Sequence, residues 1–515
     1  MKTPLERRPE VPPRAPDGHP AGAYRPAPRL DVLSAALVAL ALVAGGALRF
    51  VARSSLWLDE AQTATTAALP LGDIADALRA DGFPPLFYWV LHGWLAVVGD
   101  GDAAARALSG VAGVAALAAV WWAGRHLGGT RVAWMATAVL ATSPFAIRYS
   151  TEVRMYSVLV GGTALGFLLV ARALERPRLG RLAAVAAVTA GMLLLHYWTL
   201  FLLVVTVVAL AARWWLRRDG ASWRVLLAVG AGTAALLPWL GTLRYQLEHT
   251  GTPWSRGTQP LTAMEKTFSA WGGGAHVDAR LLGALLIGLA AWALVRHRRQ
   301  GTWPLGIVAG GTLALGVALA TLTGSAFQPR YTAVVFPLVV LLVAVGLASL
   351  PDQRVRTALL GAIVVLGLVG GVRNAVDERS QAGEVADVIA DGAASGDVAV
   401  FCPDQLGPGV DRLLPDGVRT VVFPTGADAA RVDWVDYEER NEAARPGPFA
   451  RRLLAEADAA GATVWYVWSP NYRTYGRSCE ALEQDLEATG RSGARVVRRD
   501  RAVPERSWLT RYGPP

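Results

Sequence analysis

The chain has 515 residues, of which 53% are hydrophobic and only 18% charged, and its mean hydropathy is +0.33. The apolar residues recur in blocks of about 16 to 20, a length at which a helix spans a bilayer, so a soluble protein is excluded. The net charge of +9 does not indicate a nucleic-acid partner, because the basic residues are scattered through short loops between apolar blocks.

The N-terminal segment precedes the first apolar block. Residues 1–30 are rich in Pro and Arg and have no periodicity, which predicts a disordered cytoplasmic tail. Residues 31–50 predict the first spanning helix. A cleaved signal peptide is the alternative, but its apolar part is too long, and Arg49 and Arg53 stand where a small-residue cleavage site belongs. We therefore expect an uncleaved anchor.

A long polar stretch with amphipathic pieces, residues 54–105, is interpreted as the first extracytoplasmic loop. Further apolar runs follow at 106–124, 132–147, 156–172, 182–197, 198–212, 225–243, 281–295, 303–323, 332–350 and 357–373. The pattern predicts a polytopic α-helical membrane protein with about eleven transmembrane helices, in a domain of residues 31–375.

Charge asymmetry predicts the orientation of this bundle. If the N-terminus is cytoplasmic, every inner loop is basic, whereas the longer outer loops hold few arginines per residue. The inner arginines are Arg125, Arg131, Arg172, Arg176, Arg178, Arg181, Arg213, Arg217, Arg218, Arg224, Arg296, Arg298, Arg299, Arg354 and Arg356. The first loop and the C-terminus are then expected on the extracytoplasmic side of the plasma membrane.

Residues 376–515 have a different composition and predict a small extracytoplasmic α/β domain. Helix-like stretches at Gly383–Ala394, Arg440–Ala460 and Glu480–Gly490 alternate with β-rich runs at Val398–Cys402, Val418–Phe423, Thr463–Trp468 and Ala494–Val497. The chain's two cysteines, Cys402 and Cys479, both lie here. They form either a disulfide, as an oxidising compartment allows, or two free thiols in an ordinary core.

The first candidate site is the acid pair Asp59–Glu60, directly after the first apolar run. Its neighbours Leu56, Trp57 and Leu58 are apolar, so the pair does not lie in a generic polar loop. Placing carboxylates at a membrane interface costs free energy unless they are solvated, paired with a cation or used in catalysis or binding. The alternatives are a solvated loop start and the catalytic end of a membrane enzyme.

A second cluster, Arg148–Tyr156, lies at the same predicted membrane level. In the functional interpretation Arg154 binds a phosphate through its planar fork of donors, and Glu152 positions a sugar or holds the arginine, with Tyr149 beside them. In the alternative, the charges of a short loop neutralise each other and the tyrosines anchor the interface.

Four further polar residues lie in the predicted outer turns. His196 is either structural or a donor contact, and Arg330 is either an interface anchor or a second phosphate contact. Asp81 and Tyr88 flank Pro84–Pro85, which break one amphipathic helix and begin another. We expect these two to contact the acceptor or the loop itself, and a simple turn is the alternative for Asp81.

Five motifs in order resemble the GT-C glycosyltransferases, specifically the family 39-like bacterial membrane proteins related to protein O-mannosyltransferases and aminoarabinose transferases. They are SLWLDEA at 55–61, FPPLFYWVLHGW at 83–94, RYSTEVRMYS at 148–157, HYWTLFLL at 196–203 and QPRY at 328–331. The resemblance implies a polyprenyl-phosphate-linked sugar donor in the bilayer and a reaction on the extracytoplasmic side. Asp59 then matches the general base, supported by Glu60, while Arg154 matches the arginine associated with donor phosphate and Glu152 a second-loop acid.

One position departs from the family pattern: Phe83 stands where many relatives have a histidine. We therefore assign no metal ligand and leave a requirement for a divalent metal open. The sugar (mannose or another hexose or pentose) and the acceptor (envelope glycan, lipid or protein) are also open.

A flippase or transporter of a lipid-linked sugar is the alternative function, but it would place ionisable residues near mid-membrane. A mere membrane anchor needs far fewer spans.

Overall fold

The computed structural model describes residues 30–251, 258–297, 301–325, 327–470, 472–488 and 490–514. The predicted tail of residues 1–30 lies outside this part of the chain, apart from Leu30. The described residues form a helical bundle followed by a smaller sheet domain.

The bundle contains sixteen α-helices among the described residues. They are α1 (Val32–Leu48), α2 (Leu58–Ala68), α3 (Leu71–Arg79), α4 (Leu86–Val98), α5 (Asp102–Thr142), α6 (Pro144–Ser150), α7 (Tyr156–Glu175), α8 (Leu179–Leu193), α9 (Trp198–Arg217), α10 (Gly220–Thr233), α11 (Leu240–His249), α12 (Pro260–Gly272), α13 (Val277–Arg296), α14 (Thr302–Thr323), α15 (Phe336–Ala348) and α16 (Gln353–Val376). Short 3₁₀ segments lie at Ala234–Trp239 and Pro329–Val334.

Each of the eleven predicted apolar segments coincides with helical structure. Seven helical stretches of the described chain are long and apolar enough on their own to cross a membrane: Asp102–Thr142, Tyr156–Glu175, Trp198–Arg217, Gly220–His249, Val277–Arg296, Thr302–Thr323 and Gln353–Val376. Shorter apolar helices lie at α1, α4, α8 and α15. Residues Phe336–Leu347 of α15 are buried on every side by the other helices, as expected for a helix that is apolar all round. The protein is a multi-pass membrane protein.

Three predicted segments have a different internal structure. The span at 106–124 lies in the long stretch α5, which bends at Gly128 and Gly129, and the span at 132–147 runs from α5 past Ser143 into α6. Gly129 has a φ of 80°, which glycine adopts without steric cost. The span at 225–243 consists of α10, a 3₁₀ segment and the start of α11, because Pro238 provides no N–H for a continuous α-helix.

The stretch interpreted as the first extracytoplasmic loop, residues 54–105, is largely helical, and its expected amphipathic pieces are helices. It contains α2, α3 and α4 and the beginning of α5. The amphipathic pieces bury their apolar side: α3 buries Ile74 and Leu78, and α4 buries Phe87 and Leu91. Asp59 and Glu60 therefore lie in the first turn of a helix, where their backbone directions are fixed.

The sheet domain contains five strands in the order β2-β1-β3-β5-β4. These are β1 (Val398–Cys402), β2 (Arg419–Val422), β3 (Val464–Trp468), β4 (Gly493–Val497) and β5 (Trp508–Tyr512), with helices α17 (Ala382–Gly392), α18 (Gly407–Asp411), α19 (Tyr437–Glu442), α20 (Pro446–Ala460) and α21 (Ser478–Glu487). The first three strands are parallel, and β5 pairs antiparallel with both β3 and β4.

The sequence predicted four of these strands and missed β5. The predicted helix Arg440–Ala460 is two helices, α19 and α20, because Pro446 begins the second. Cys402 and Cys479 form a disulfide, which decides between the two alternatives for these cysteines.

The sheet domain is anchored to the end of the bundle where α2 begins. The guanidinium of Arg379 donates to the carbonyl and hydroxyl oxygens of Thr151, at 2.9 and 2.7 Å. The carboxylate of Glu505 accepts the Leu58 N–H at 2.9 Å and the Ser380 hydroxyl at 2.6 Å. The domain thus touches the elements that carry the sequence-predicted site residues.

Candidate active site

A cavity of about 320 Å³ lies between this end of the bundle and the sheet domain. We call it the Asp59 cavity. It is enclosed by α2, the α3–α4 turn, the α6–α7 connection, the α8–α9 connection, the 3₁₀ segment at 329–334 and one segment of the sheet domain. Its lining residues are Leu58, Asp59, Gln62, Asp81, Gly82, Phe83, Arg154, His196, Tyr197, Trp198, Thr250, Gly251, Ser325, Arg330, Tyr331 and Trp434.

Asp59 faces this cavity from the first turn of α2. Its side chain is 18% exposed, and its Oδ2 lies 2.9 Å from Nη1 of Arg330. The Asp59 carbonyl accepts the Thr63 hydroxyl hydrogen at 2.6 Å, one helical turn later. The carboxylate is therefore held in place by one cation while it remains open to the cavity.

Glu60 points away from the cavity and is fully buried. Its two oxygens accept hydrogen bonds from Nε and Nη2 of Arg106, at 2.8 and 2.6 Å, and Oε1 also accepts the Val153 N–H at 3.0 Å. Adjacent residues on a helix point about 100° apart, so Asp59 and Glu60 serve different surroundings. The pair Glu60–Arg106 joins α2 to α5 and to the α6–α7 connection.

Arg154 provides the strongest potential anion contact in the cavity. Its Nη1 donates to the Thr63 hydroxyl at 2.8 Å, and its guanidinium carbon lies 4.3 Å from the centre of the Phe83 ring. Its Nε and Nη2 are buried without a hydrogen-bond partner. Because unmet donors on a buried cation are costly, this face of the arginine is suited to an oxyanion ligand.

Arg330 lies on the 3₁₀ segment opposite α2. Besides its ion pair with Asp59, its guanidinium carbon is 5.5 Å from the Trp57 ring and 5.9 Å from the Tyr331 ring. Its Nε is buried without a partner. A second arginine donor therefore faces the same cavity as those of Arg154.

His196 lies in the four-residue connection between α8 and α9. Burial, followed by the nearby Arg154 and Arg330, lowers the pKa of His196 to about 3, so the ring is neutral. Its Nδ1 accepts the Trp198 N–H at 3.1 Å, which places the ring hydrogen on Nε2. Nε2 has no partner and is buried, so the histidine offers the cavity one further donor.

Asp81 and Tyr88 contact each other at the edge of the cavity. The Tyr88 hydroxyl donates to Oδ2 of Asp81 at 2.8 Å, and Nε2 of Gln62 donates to Oδ1 at 2.8 Å. Burial raises the pKa of Asp81, and the charge of Arg154 opposes that rise. Only Asp81 lines the cavity, while Tyr88 is fully buried behind it.

Glu152 and Tyr149 lie behind the cavity wall. Oε1 of Glu152 accepts a hydrogen bond from Nε of Arg148 at 2.6 Å and lies 4.0 Å from Nη1 of Arg379. The arginine that Glu152 holds is thus Arg148, and Arg154 is held by Thr63. Tyr149 packs its ring between those of Phe145 and Tyr156, at 4.8 and 5.0 Å.

Several residues in the cavity or directly behind its wall were not among the predicted site residues. Gln62 and Thr63 follow Asp59 at the i+3 and i+4 positions, and this spacing would have indicated them had α2 been recognised. Tyr331 follows Arg330 directly and packs its ring 5.3 Å from that of His196. Trp434 belongs to the sheet domain, and no local pattern in the sequence connects it to the other residues.

A larger cleft of about 900 Å³ lies on the other side of the Glu60–Arg106 pair, between the end of α1 and α17. Its charged lining residues have both signs, for example Arg53, Glu384 and Asp387. The Asp59 cavity differs because a carboxylate and several unpartnered donors converge there. Within the described ranges, no three His, Cys, Asp or Glu side chains are grouped as metal ligands would be.

Comparison with known proteins places these features in a fold. Residues 83–240 match the family model described as dolichyl-phosphate-mannose-protein mannosyltransferase; this range contains Arg154 and His196 but neither Asp59 nor Arg330. Among curated protein sequences, none matches the chain at a significant level.

Three solved structures are similar over most of the chain. ArnT from Cupriavidus metallidurans bound to undecaprenyl phosphate matches with a TM-score of 0.62 at 15% identity, covering 92% of this chain and 97% of that one. The oligosaccharyltransferase of Archaeoglobus fulgidus tethered to an acceptor peptide matches with a TM-score of 0.51 at 12% identity, covering 90% and 72%. The archaeal oligosaccharyltransferase AglB from Archaeoglobus fulgidus, in complex with an inhibitory peptide and a dolichol-phosphate, matches with a TM-score of 0.50 at 10% identity, covering 90% and 73%.

The chain has the GT-C fold. The predicted fold class and the family resemblance are thereby confirmed. Together with the family match, the GT-C fold indicates that the protein is a glycosyltransferase, as the sequence predicted.

Proposed function

We propose that this GT-C protein transfers a sugar from a polyprenyl-phosphate donor to an acceptor hydroxyl, with Asp59 as the general base. One observation carries the proposal: a carboxylate open to a cavity faces arginine and histidine donors that lack partners in the same cavity. This arrangement offers a base for a hydroxyl and cations for a departing phosphate within about 320 Å³.

The phosphate side of the proposed site consists of Arg154, Arg330 and His196. Their unpartnered atoms are Nε and Nη2 of Arg154, Nε of Arg330 and Nε2 of His196. Arginine is suited to phosphate because its planar guanidinium directs parallel hydrogen bonds at two oxygens. Two structural neighbours also carry such a lipid: ArnT is bound to undecaprenyl phosphate, and AglB is in complex with a dolichol-phosphate.

The proposed reaction is a single displacement at the anomeric carbon. The acceptor oxygen attacks that carbon, its hydrogen passes to the Asp59 carboxylate, and the bond between the sugar and the phosphate oxygen breaks. The lipid phosphate leaves with the electron pair and is stabilised by Arg154 and Arg330. General-base assistance of this kind contributes roughly 10²–10⁴-fold.

Arg330 connects the two halves of this reaction. Its Nη1 lies 2.9 Å from Oδ2 of Asp59. An arriving donor phosphate competes for the same guanidinium, which leaves the Asp59 carboxylate free to accept a hydrogen bond from the hydroxyl. Donor binding would therefore prepare the base before the acceptor reacts.

The remaining predicted residues have supporting roles in this proposal. Glu60 positions the first turn of α2 through Arg106, and Glu152 positions the α6–α7 connection through Arg148 and Arg379. Tyr88 orients Asp81, which could contact the acceptor. Tyr149 supports the aromatic wall around His196 through Tyr156.

We propose the predicted domain division and orientation as well. Residues 31–375 form the transmembrane catalytic domain and residues 376–515 the extracytoplasmic domain, with the N-terminus in the cytoplasm because the inner loops are basic. The partners are the lipid-linked sugar, the bilayer and an envelope glycan, lipid or protein. Mannose is one candidate sugar, and another hexose or a pentose is the alternative.

The test uses purified protein in proteoliposomes with a panel of radiolabelled polyprenyl-phosphate sugars and cell-envelope extract. We expect label to leave the lipid with at least one sugar of the panel and to appear on a component of the extract. Heat-inactivated protein is the control. Intact labelled lipid that moves to the opposite leaflet, without release of sugar, would overturn the proposal in favour of a flippase.

A further inference from the structure

One segment of the sheet domain, residues 432–436, reaches back to the bundle and forms part of the Asp59 cavity. The Trp434 N–H donates to the Ala80 carbonyl at 3.1 Å, at the end of α3. The Asp436 N–H donates to the His249 carbonyl at 2.9 Å, and Val435 forms a β-bridge with Thr250. The segment is thus joined to two separate parts of the bundle by backbone hydrogen bonds.

Gln62 fixes the beginning of this segment to the helix that carries Asp59. Its Oε1 accepts the Val432 N–H at 2.9 Å, and its Nε2 donates to the Val432 carbonyl at 3.1 Å. The same Nε2 donates to Asp81 at 2.8 Å. Two hydrogen bonds between the Gln62 amide and the Val432 backbone fix the orientation of this segment as well as its distance from α2. Trp434 therefore has a defined place beside the acid residues of the cavity.

The ring of Trp434 is supported from within the sheet domain. It packs against the Tyr437 ring, with 5.0 Å between ring centres. The Tyr437 hydroxyl donates to Oδ1 of the buried Asp404, which also accepts the Tyr475 hydroxyl at 2.7 Å. Trp434 is half-buried and lines the cavity, so an indole supported by Tyr437 borders a polar site.

We propose that Trp434 is the platform on which a sugar ring stacks during transfer, and that the sheet domain thereby determines specificity. A sugar ring has an apolar face of C–H groups and a rim of hydroxyls. The indole is suited to the apolar face, while the carboxylate of Asp81 provides acceptors for the hydroxyl rim. The inference rests on the proposed function, because it assigns a binding role within the same site.

The stacked ring belongs either to the donor or to the acceptor, and these two sources are separable by experiment. Slow hydrolysis of the donor, with water as the acceptor, reports on donor binding alone. Transfer to titrated cell-envelope extract reports on donor and acceptor together. The variants are W434A and W434F, with W508A as the matched control, since Trp508 packs on Trp468 in the same domain and does not line the cavity.

For a donor contact we expect W434A to raise the donor KM in hydrolysis by about tenfold, which corresponds to roughly 1.4 kcal/mol. For an acceptor contact we expect an unchanged donor KM and about a tenfold rise in the extract needed for half-maximal transfer. W434F, which keeps an aromatic face, is expected to lie between W434A and wild type in either case. W508A is expected to leave both quantities unchanged.

Unchanged KM values for donor and extract in W434A and W434F would overturn the assignment of Trp434 as a stacking platform, even if kcat changes. A rise of equal size in W508A would overturn it as well, because the effect would then come from the domain as a whole. If wild type releases no label from any donor, the proposed function fails, and the inference that rests on it fails too. Thermal unfolding of each variant identifies a variant that has lost its fold, and W434F then provides the comparison.

Discussion

Arg330 and Asp59, which are far apart in the sequence, form an ion pair in which Nη1 and Oδ2 are 2.9 Å apart. Both side chains line one cavity, and both retain some exposure there, 22% for the arginine and 18% for the aspartate. A pair that is neither fully buried nor fully solvated can exchange partners at moderate cost. In the proposed mechanism the donor phosphate is the new partner of Arg330.

Arg154→Ala is expected to impair the use of the donor more than that of the acceptor. The side chain has two unpartnered donors facing the cavity, and no acceptor contact is assigned to it. We expect the donor KM to rise by about 10-fold or more, in line with the loss of a charge-assisted contact of about 1.5–3 kcal/mol. Arg154→Lys keeps the charge but not the planar guanidinium, so its donor KM should lie between those of wild type and Arg154→Ala. Equal effects on donor and acceptor KM would argue against a phosphate role.

Glu60→Gln is expected to destabilise the fold without a specific effect on donor binding. It leaves Arg106 buried beside a neutral side chain, and breaking a buried pair costs about 3–5 kcal/mol. Thermal unfolding in detergent is the measurement. The double variant Glu60→Leu with Arg106→Met should recover part of the loss, because both members of the closest ion pair are removed while Arg379, 3.9 Å from Glu60, keeps Glu152 at 4.0 Å.

The exposed pair Arg244–Glu248 is the matched control for Glu60 and Arg106. Arg244→Gln should leave the unfolding temperature unchanged, since a solvated pair contributes little. A wild-type unfolding temperature for Glu60→Gln would contradict the structural role of Glu60. A raised donor KM in the folded fraction of Glu60→Gln would instead indicate that Glu60 contributes to the catalytic site.

Glu505 should make stability depend on pH. Burial raises the pKa of this carboxyl to about 7 from an ordinary value near 4.5. The folded chain therefore holds a proton that the unfolded chain has lost, so the contribution is complete below about pH 4.5 and is lost as the pH rises through about 7. We expect Glu505→Gln to reduce the fall in unfolding temperature between about pH 5 and pH 7.5.

The control for this experiment is Glu456→Gln, at a half-exposed carboxylate paired with Arg419 on the same domain. That variant should keep the wild-type pH dependence. An identical pH dependence in wild type and Glu505→Gln would show that the Glu505 proton is not linked to folding.

Hydropathy predicted the bundle well because a bilayer imposes one length and one composition on every spanning helix. It was less informative for residues 54–105, where short helices are stabilised by contacts with distant segments. The N-terminus of α2, for example, is capped by Glu505, 447 residues away. The strand β5 was missed because Trp508–Tyr512 lies at the end of the chain without a flanking helix to mark it.

The candidate site was predictable where one residue type implies one chemistry, as for Asp59, Arg154 and Arg330. The sequence could not separate Asp59 from Glu60, because which of two adjacent carboxylates faces a cavity depends on the rotation of α2. It also could not pair Glu152 with Arg148 in place of Arg154, since both arginines are within four residues. Trp434 reaches the cavity only through the tertiary fold of another domain.

Single-turnover release of sugar by wild type, Asp59→Asn and Asp73→Asn tests whether Asp59 is the base. Asp73 is an exposed carboxylate on α3 that does not line the cavity, so its variant controls for loss of charge in the same region. We predict that Asp59→Asn lowers the rate by about 10²–10⁴-fold, with wild-type membrane insertion and unfolding temperature, while Asp73→Asn keeps the wild-type rate. Wild-type turnover by Asp59→Asn would show that Asp59 is not the base.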